Sequence, residues 1–504
     1  MTCRQEAPAI RRLFERFEAN GFEVVYLGPF EPPESCQKWK EEFGLPFPVI
    51  PDADGELFRQ LTTGWVPCSM LVGPDGKVLF WESEFDEAGF STAIEKLYSR
   101  TAEAQPEPVS AERPIRRAGP SEAASIVILG GGAGGLVAAN HLRRRLPKEH
   151  RIVVIDRSSD HLFSPSLLWI MVGHRREDQI RRPLDRLADK GIEFHHGEVE
   201  EIDLDRRLVR AGSERLNFDY LIVSLGAHHV PDTVEGFDKM AYDLYDPEGC
   251  GRIRAALDTF TGGTVGVLVS SMPFKCPAAP YEAALLVEAF LRKKGLRDRT
   301  DIHIYTPEHQ PMPIAGPEMG EAIAEMLHAR DIHFHPLYTF EELRPETKEI
   351  VSSDGRPEQV DLLLGVPPHQ APEVVRSSGL IGVSGWIHVD QKTLRTEHDG
   401  VFAIGDITSV RLSNGKTLPM AGVFAHNEAK VVAKQIASEI RGSQSHASFD
   451  GKGYCWIELG DGKAGFANGN FYTEPEPQVQ MFRPGRLLHW GKVAFEKWWL
   501  RHWF

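Results

Sequence analysis

The sequence predicts an α/β chain with two doubly wound parallel-sheet units, a smaller α/β unit before them and a separate C-terminal region. Three observations carry this. At 125–145 a short apolar strand runs into closely spaced glycines and then into a helical period. At 263–292 a second strand, turn and helix repeat the same rhythm without the glycines. Elsewhere short apolar strands alternate with amphipathic helices, the order of parallel strands joined by crossover helices.

Residues 1–100 form the first unit. Ala9 to Ala19 has an amphipathic period, Phe22-Glu-Val-Val-Tyr-Leu27 reads as a strand, and Glu34 to Phe43 as a second helix. Pro48-Val-Ile50, Val66-Pro67-Cys68-Ser-Met-Leu-Val72 and Val78-Leu-Phe80 are further strands. A Pro74-Asp-Gly-Lys turn joins the last two as a hairpin. The unit resembles a thioredoxin-like fold of the redoxin kind, in which Val66-Pro67 would take the cis-proline position. In that family Cys-Arg-x-Glu-x-Pro carries the second cysteine of C-x-x-C. Here Cys3-Arg-Gln-Glu6-Ala-Pro8 is preceded only by Met1 and Thr2, so the first cysteine and its strand are missing. Two readings stay open: a start placed too far downstream, or a domain turned into a docking unit. Cys36 and Cys68 are expected to be inert. Residues 101–124, rich in Ala, Pro, Glu and Ser, are a semi-rigid linker.

The first part of a dinucleotide-binding domain is expected at 125–232. Gly130, Gly132 and Gly135 fall at G-x-G-x-x-G spacing between the strand Ile126–Leu129 and a helix from Leu136. The first glycine allows the tight turn, the second lets backbone approach a diphosphate, and the third lets helix pack close on strand. The diphosphate then meets free N–H groups at a helix N-terminus. Ile152-Val-Val-Ile-Asp156 is the next strand, ending in an acid placed for a ribose hydroxyl. Together these make the unit a Rossmann-like dinucleotide site. Tyr220-Leu-Ile-Val-Ser-Leu-Gly226 and, much later, Gly400-Val-Phe-Ala-Ile-Gly405-Asp406 complete the pattern. The three segments in this order resemble the pyridine nucleotide–disulfide oxidoreductase superfamily over roughly 125–504. The resemblance implies FAD, with Asp406 at a ribityl hydroxyl and the rest of the FAD domain at 385–440.

A second Rossmann-like domain is expected at 233–384. Its opening strand, Gly263 to Val269, leads to Ser270-Ser-Met-Pro273-Phe-Lys275-Cys276-Pro277-Ala-Ala-Pro280-Tyr-Glu282 and a helix over Ala283 to Arg292. A nicotinamide-using relative would carry glycines in this turn. Proline has no N–H to offer a phosphate and its ring blocks close approach. Instead a thiol stands at a helix N-terminus beside Lys275, a setting expected to lower its pKa. The stretch resembles the Lys-Cys-x-x-Ala-Pro turn of sulfide:quinone oxidoreductases and of the flavoprotein subunit of flavocytochrome c sulfide dehydrogenase. That resemblance implies a second redox cysteine after the Gly-Asp motif, where Cys455 stands. Many members have a third cysteine upstream; Cys250 is the candidate here and is expected to be incidental.

Leu418-Pro-Met-Ala-Gly422 leads into a helix over Val423 to Ile440, whose N-terminal dipole could stabilise an anionic reduced flavin. His426 on that helix is a candidate proton donor. The region 441–504 carries Cys455 and ends in a tail holding four of the chain's ten Trp, interleaved with Lys and Arg. Residues 486–504 are therefore expected to lie on a bilayer surface.

The totals exclude other classes. A formal charge of −15 argues against a nucleic-acid partner. No uncharged apolar run is long enough to span a bilayer, and the first residues lack the apolar core of a signal peptide. Six scattered cysteines without C-x-x-C form neither a zinc site nor a disulfide scaffold, and the His pairs 195–196, 228–229 and 333/335 lack further ligands at metal spacing. The resemblance implies an FAD enzyme that oxidises sulfide or a small persulfide through a Cys276/Cys455 pair and passes electrons to a quinone. It would be cytoplasmic and peripherally held at the inner membrane, with a homo-oligomer left open. Alternatives are a cytochrome acceptor, a type II NADH:quinone oxidoreductase, or a thioredoxin-linked sulfur-carrier or docking flavoprotein.

Overall fold

The computed structural model describes residues 3–17, 22, 24–29, 31–53, 69–72, 78–82, 87, 89–92, 94 and 123–504, apart from 383. The expected Val66-Pro67 site, Cys68, the Pro74 turn and nearly all of the 101–124 linker lie outside the described residues. Two compact units emerge. The first takes in Met1–Arg113 with Gly382–Gly385, the second Pro114–Ile381 with Trp386–Phe504.

In the first unit α1 spans Cys3–Phe17, β1 Tyr26–Pro29, α2 Pro33–Phe43, β2 Val49–Asp52, β3 Ser69–Val72 and β4 Val78–Glu82. Strands β1 and β2 pair in parallel, β3 and β4 antiparallel. Helix α1 begins at Cys3 rather than at Ala9, because the buried stripe of Ala9, Leu13 and Phe17 extends back to Ala7 and Glu6. Pro8 lies inside this helix and forgoes the hydrogen bond to the Arg4 carbonyl.

The second unit contains two five-stranded parallel sheets that share the order of four strands and differ in the fifth, an edge strand supplied late in the chain in the first and early in the second. In the first, β5 (Ser125–Leu129) is central, feeding α3 (Ala133–Arg145) and then β6 (Arg151–Asp156). β7 (Glu193–His196), β8 (Tyr220–Val223) and the late strand Val401–Ala403 complete it, every pair parallel. The chain leaves this sheet through β9 (His228–His229), β10 (Ala241–Asp243) and α4 (Pro247–Thr259). In the second sheet β11 (Gly263–Val269) is central and feeds α5 (Ala279–Lys294). β12 (Thr300–Tyr305), β13 (Ile332–His335) and β14 (Leu362–Val366) complete it with β10, again all parallel. β15 (His369–Gln370) returns antiparallel to β9, and the strand Val401–Ala403, now β16, rejoins the first sheet. Helix α6 (Gly422–Ile440) follows, then the antiparallel sheet β17 (Lys452–Gly460), β18 (Lys463–Asn470) and β19 (Gln478–Gly485), and last α7 (Arg486–His502).

The strands are buried on both faces, as parallel sheets covered by helices must be: Ile126 to Leu129 and Val153 to Ile155 are fully enclosed. Gly135 explains the close seat of α3 on β5, since a Cβ there would lie 1.9 Å from the Gly130 carbonyl oxygen. A Cβ at Gly132 would meet nothing within 4 Å. The two glycines therefore do different work. Gly135→Ala should cost about 1–3 kcal/mol in urea unfolding through overpacking. Gly132→Ala should unfold like the parent protein and bind FAD more weakly, because its methyl enters the space a diphosphate needs. Equal unfolding midpoints for Gly135→Ala and the parent would refute the packing assignment.

Candidate active site

One cavity of about 920 Å³ gathers eleven of the twelve site residues expected from the sequence. Gly130, Gly132, Asp156, Gly226, Gly405, Asp406 and Gly422 line it from the first sheet and α6, and Lys275, Cys276, His426 and Cys455 from the surrounding elements. Gly135 alone does not, since it packs beneath the turn. The size suits a large ligand.

The cradle fits FAD on its own chemistry. Asp406 Oδ1 is buried with no protein donor, the state of an acceptor awaiting a ligand hydroxyl. Burial raises the Asp406 pKa, and Lys275 opposes it. Glu428 on α6 accepts from the Gly405 N–H at 2.7 Å and holds the Gly-Asp turn in place. Asp156 accepts from the Gly131 N–H at 2.6 Å and the Ser158 N–H at 2.7 Å. It thus shapes the glycine turn as well as facing the cavity, and each oxygen keeps a second lone pair for a ribose hydroxyl.

The thiols come from opposite sides of the fold. Cys276 stands in the turn after β11 with φ +49, a left-handed conformation that costs a non-glycine residue on the order of 1 kcal/mol. Its N–H donates to the Met420 carbonyl at 2.7 Å, which holds the turn. Cys455 sits on β17, half-buried, and both thiols are free and line the same cavity. Cys276 opens to the cavity rather than to bulk water, so it is accessible but poorly hydrated.

The expected low thiol pKa is not found. Burial, with Glu282 next, pushes Cys276 up to about 12, and Lys492 works against that. Cys455 is raised as well, again by burial first. Two features explain the difference. Helix α5 begins only at Ala279, beyond Cys276. Lys275 reaches the face of Tyr245, 5.5 Å from its centroid, and its own pKa is lowered by burial although Asp406 and Asp243 favour its charge. The cation acting on both thiols is Lys492 of the tail helix. Its ammonium is buried and donates to Glu282 at 2.7 Å. Burial works against that charge, but Glu282 and Glu458 outweigh it and hold the Lys492 pKa up. Sequence reasoning missed Lys492 because a lysine in an amphipathic helix reads as solvent-facing.

His426 also departs from expectation. Burial, helped by Lys430, lowers its pKa to about 3, and its ring meets Trp499 and Trp503 edge-on at 5.4 and 5.8 Å. The imidazole is therefore neutral at neutral pH, and the proton it carries is that of a ring N–H rather than of an imidazolium. Cys250 is fully buried, with its Sγ 3.3 Å from the Leu244 carbonyl oxygen, a packing thiol. Among the described residues no group of three or more His, Cys, Asp or Glu is arranged to hold a metal ion. The tail differs in part: one face of α7 is buried through Lys492, Val493, Glu496, Trp499 and Leu500, while Leu487, Trp490 and Trp498 stay exposed. Arg175 pairs with Glu496 at 2.9 Å, fixing the helix further.

Residues 124–429 match the family described as pyridine nucleotide-disulphide oxidoreductase. The chain belongs to this family. Like its members it is an FAD-dependent oxidoreductase, and residues 1–80 match the AhpC/TSA family, in keeping with the thioredoxin-like reading. The chain is similar to the mitochondrial sulfide:quinone oxidoreductase of Mus musculus, 25% identical over 366 residues, 69% of this chain and 79% of that protein. It is likewise similar to the sulfide-quinone reductase of Aquifex aeolicus, 25% identical over 390 residues, 74% of this chain and 90% of the relative. The solved sulfide:quinone oxidoreductase of Aquifex aeolicus shares the fold, with a TM-score of 0.69 at 23% identity over 76% of this chain and 92% of that one.

One buried acid near the thiol turn gives this oxidoreductase a measurable pH signature. Glu308, after β12, accepts from the Tyr281 hydroxyl, and burial lifts its carboxyl to about 7 from 4.5. The folded protein therefore keeps a proton that the unfolded chain has lost. The stability from this group is complete below pH 4.5 and is lost as pH rises through 7. Glu308→Gln should match the parent near pH 4.5 and exceed its unfolding free energy by up to about 3 kcal/mol at pH 8. A variant no more stable than the parent at pH 8 would refute the assignment.

Proposed function

We propose that this chain oxidises sulfide, or a small persulfide, at the Cys276/Cys455 pair and passes the electrons through FAD to a quinone. The observation that carries the reading is two free thiols on the wall of the cavity that cradles FAD. With the pair oxidised to a disulfide, HS⁻ attacks one sulfur. A new S–S bond forms to the attacked cysteine, the Cys–Cys bond breaks, and the other cysteine, Cys276 in this reading, leaves as thiolate. Lys492 favours that thiolate, since it is the cation that lowers both thiol pKa values against burial. FAD in the cradle supplies the two-electron step from the thiol side to the quinone side.

The turn 270–280 argues against a nicotinamide donor. Pro273, Pro277 and Pro280 remove the N–H groups on which a diphosphate would rest. Pro280 falls in the first turn of α5, whose N-cap residue Ala278 has no capping side chain.

The tail supports a lipid-borne acceptor. No helix among the described residues is long and apolar enough to cross a membrane. Leu487, Trp490 and Trp498 are 84%, 64% and 44% exposed on one side of α7, with Arg486, Lys497 and Arg501 around them. Exposed aromatics among cations suit an anionic lipid surface. The inner face of the same helix lines the cavity through Lys492, Phe495 and Trp499. One helix thus joins the bilayer side to the redox side.

The test is an anaerobic flavin spectrum. Sulfide should bleach the parent protein, and NADH should not. Cys276→Ser should retain FAD and lose sulfide bleaching by at least a hundredfold in rate. Sulfide bleaching of Cys276→Ser at the parent rate, or rapid bleaching by NADH, would overturn the reading. The membrane half is read separately. Leu487→Ser with Trp490→Ser removes two insertable side chains worth roughly 1.5–3 kcal/mol each. The double variant should partition to anionic vesicles on the order of a hundredfold less while still reducing a short-chain quinone. Unchanged vesicle flotation would assign the exposed face elsewhere.

A further inference from the structure

The middle residue of the glycine turn, Gly131, has both of its polar backbone atoms committed. Its N–H donates to Asp156 at 2.6 Å, and its carbonyl oxygen lies 2.9 Å from His161 Nδ1. On the other side of the same imidazole, Trp499 Nε1 lies 3.0 Å from His161 Nε2. An indole N–H only donates, so Nε2 is the acceptor and Nδ1 carries the proton, which it donates to Gly131. The tautomer is set by the tail helix. His161 is 3% exposed, and burial lowers its pKa to about 4, so the ring stays neutral and the arrangement holds across physiological pH.

The direction of the Gly131 carbonyl has a consequence for the next amide. In a trans peptide C=O and N–H point opposite ways. With the Gly131 carbonyl turned to His161, the Gly132 N–H is turned away from it, at the start of α3 where Gly132 lines the cavity. We propose that His161 and Trp499 are positioning residues for the FAD diphosphate, a strap by which α7 holds the Gly131–Gly132 peptide in its phosphate-accepting orientation. The strap is reinforced at the far end of α7. Asn140 of α3 donates to the Trp503 carbonyl at 3.1 Å, and Lys190 to the His502 carbonyl at 3.0 Å. Docked α7 therefore touches the FAD-binding helix α3 near its middle and, through His161, the turn at its N-terminus.

Coupling follows in both directions. Whatever keeps α7 seated keeps the turn oriented, and FAD on the turn favours the seated helix to the same extent. This second part rests on the proposed lipid contact of the outer face of α7. Binding of lipid there should slow FAD release without touching the cofactor.

The experiment uses purified holoprotein and follows FAD release by the recovery of free-flavin fluorescence, in buffer and with phosphatidylcholine–phosphatidylglycerol vesicles. Three variants separate the contacts. His161→Asn keeps an amide where Nδ1 was and loses the Nε2 side. His161→Gln places its amide where Nε2 was and loses the Nδ1 side. Trp499→Phe keeps a ring and loses the N–H. In buffer, His161→Gln should release FAD about tenfold faster than the parent, the equivalent of one hydrogen bond, and His161→Asn and Trp499→Phe, which each cut the link to α7, should release it severalfold faster. Vesicles should slow release severalfold from the parent, but not from Trp499→Phe or His161→Asn, both of which still float with the vesicles. His161→Gln holding FAD as firmly as the parent would overturn the strap, as would vesicles slowing release equally from Trp499→Phe and the parent. A parent protein that does not float refutes the lipid contact instead, and the buffer comparison then decides the strap alone.

Discussion

A single buried ammonium organises the redox half of this molecule. Lys492 sits where α5, β17 and α7 converge, bonded to Glu282 and in the field of Glu458, which in turn meets His489 at 2.9 Å. Removing one partner from such a pair leaves an unpaired charge in a poorly hydrated interior, which typically costs 3–5 kcal/mol. The three elements it joins are those that carry or follow Cys276, carry Cys455, and form the tail. The geometry of the thiol pair and the seat of the last helix thus depend on one charge.

The two parallel sheets share the order of four strands and differ in the turn after the central one. In each, the central strand runs into a turn and then a helix. The turn after β5 is built of glycines and offers amide N–H groups. The turn after β11 is built of prolines around Cys276 and withholds them. A dinucleotide fits the first, and the second presents a thiol to the same cavity. The short β9–β15 pair joins the two sheets where the chain crosses between them.

What the sequence reveals follows the range of the interactions. Gly130, Gly132, Gly135, Asp156, Gly405 and Asp406 were legible because their spacing along a strand–turn–helix is itself the site. Cys276 was legible because its neighbours replace a known local pattern. Its acidity was not, because burial sets it first and the opposing cation, Lys492, is brought by distant chain. Glu282 and Lys492 are separated by 210 positions, and His161 and Trp499 by 338. No local pattern marks such pairs, and an amphipathic helix with charges on its buried face reads as one with charges outside. His426 was legible as a residue of the cavity wall, but its packing against Trp499 and Trp503 was not, since both arrive from the far end of the chain. The start of α1 differed because burial of Glu6 and Ala7 outweighs the discouragement of Pro8.

The unpartnered oxygen of Asp406 bears on the life of the protein before it ever meets a substrate. It offers a buried acceptor that a ligand hydroxyl can satisfy, and a cofactor that binds only the folded chain stabilises it by mass action. Chains that hold FAD should therefore resist unfolding and proteolysis better than chains without it. The cellular level of this protein should follow riboflavin supply even where its transcript does not change.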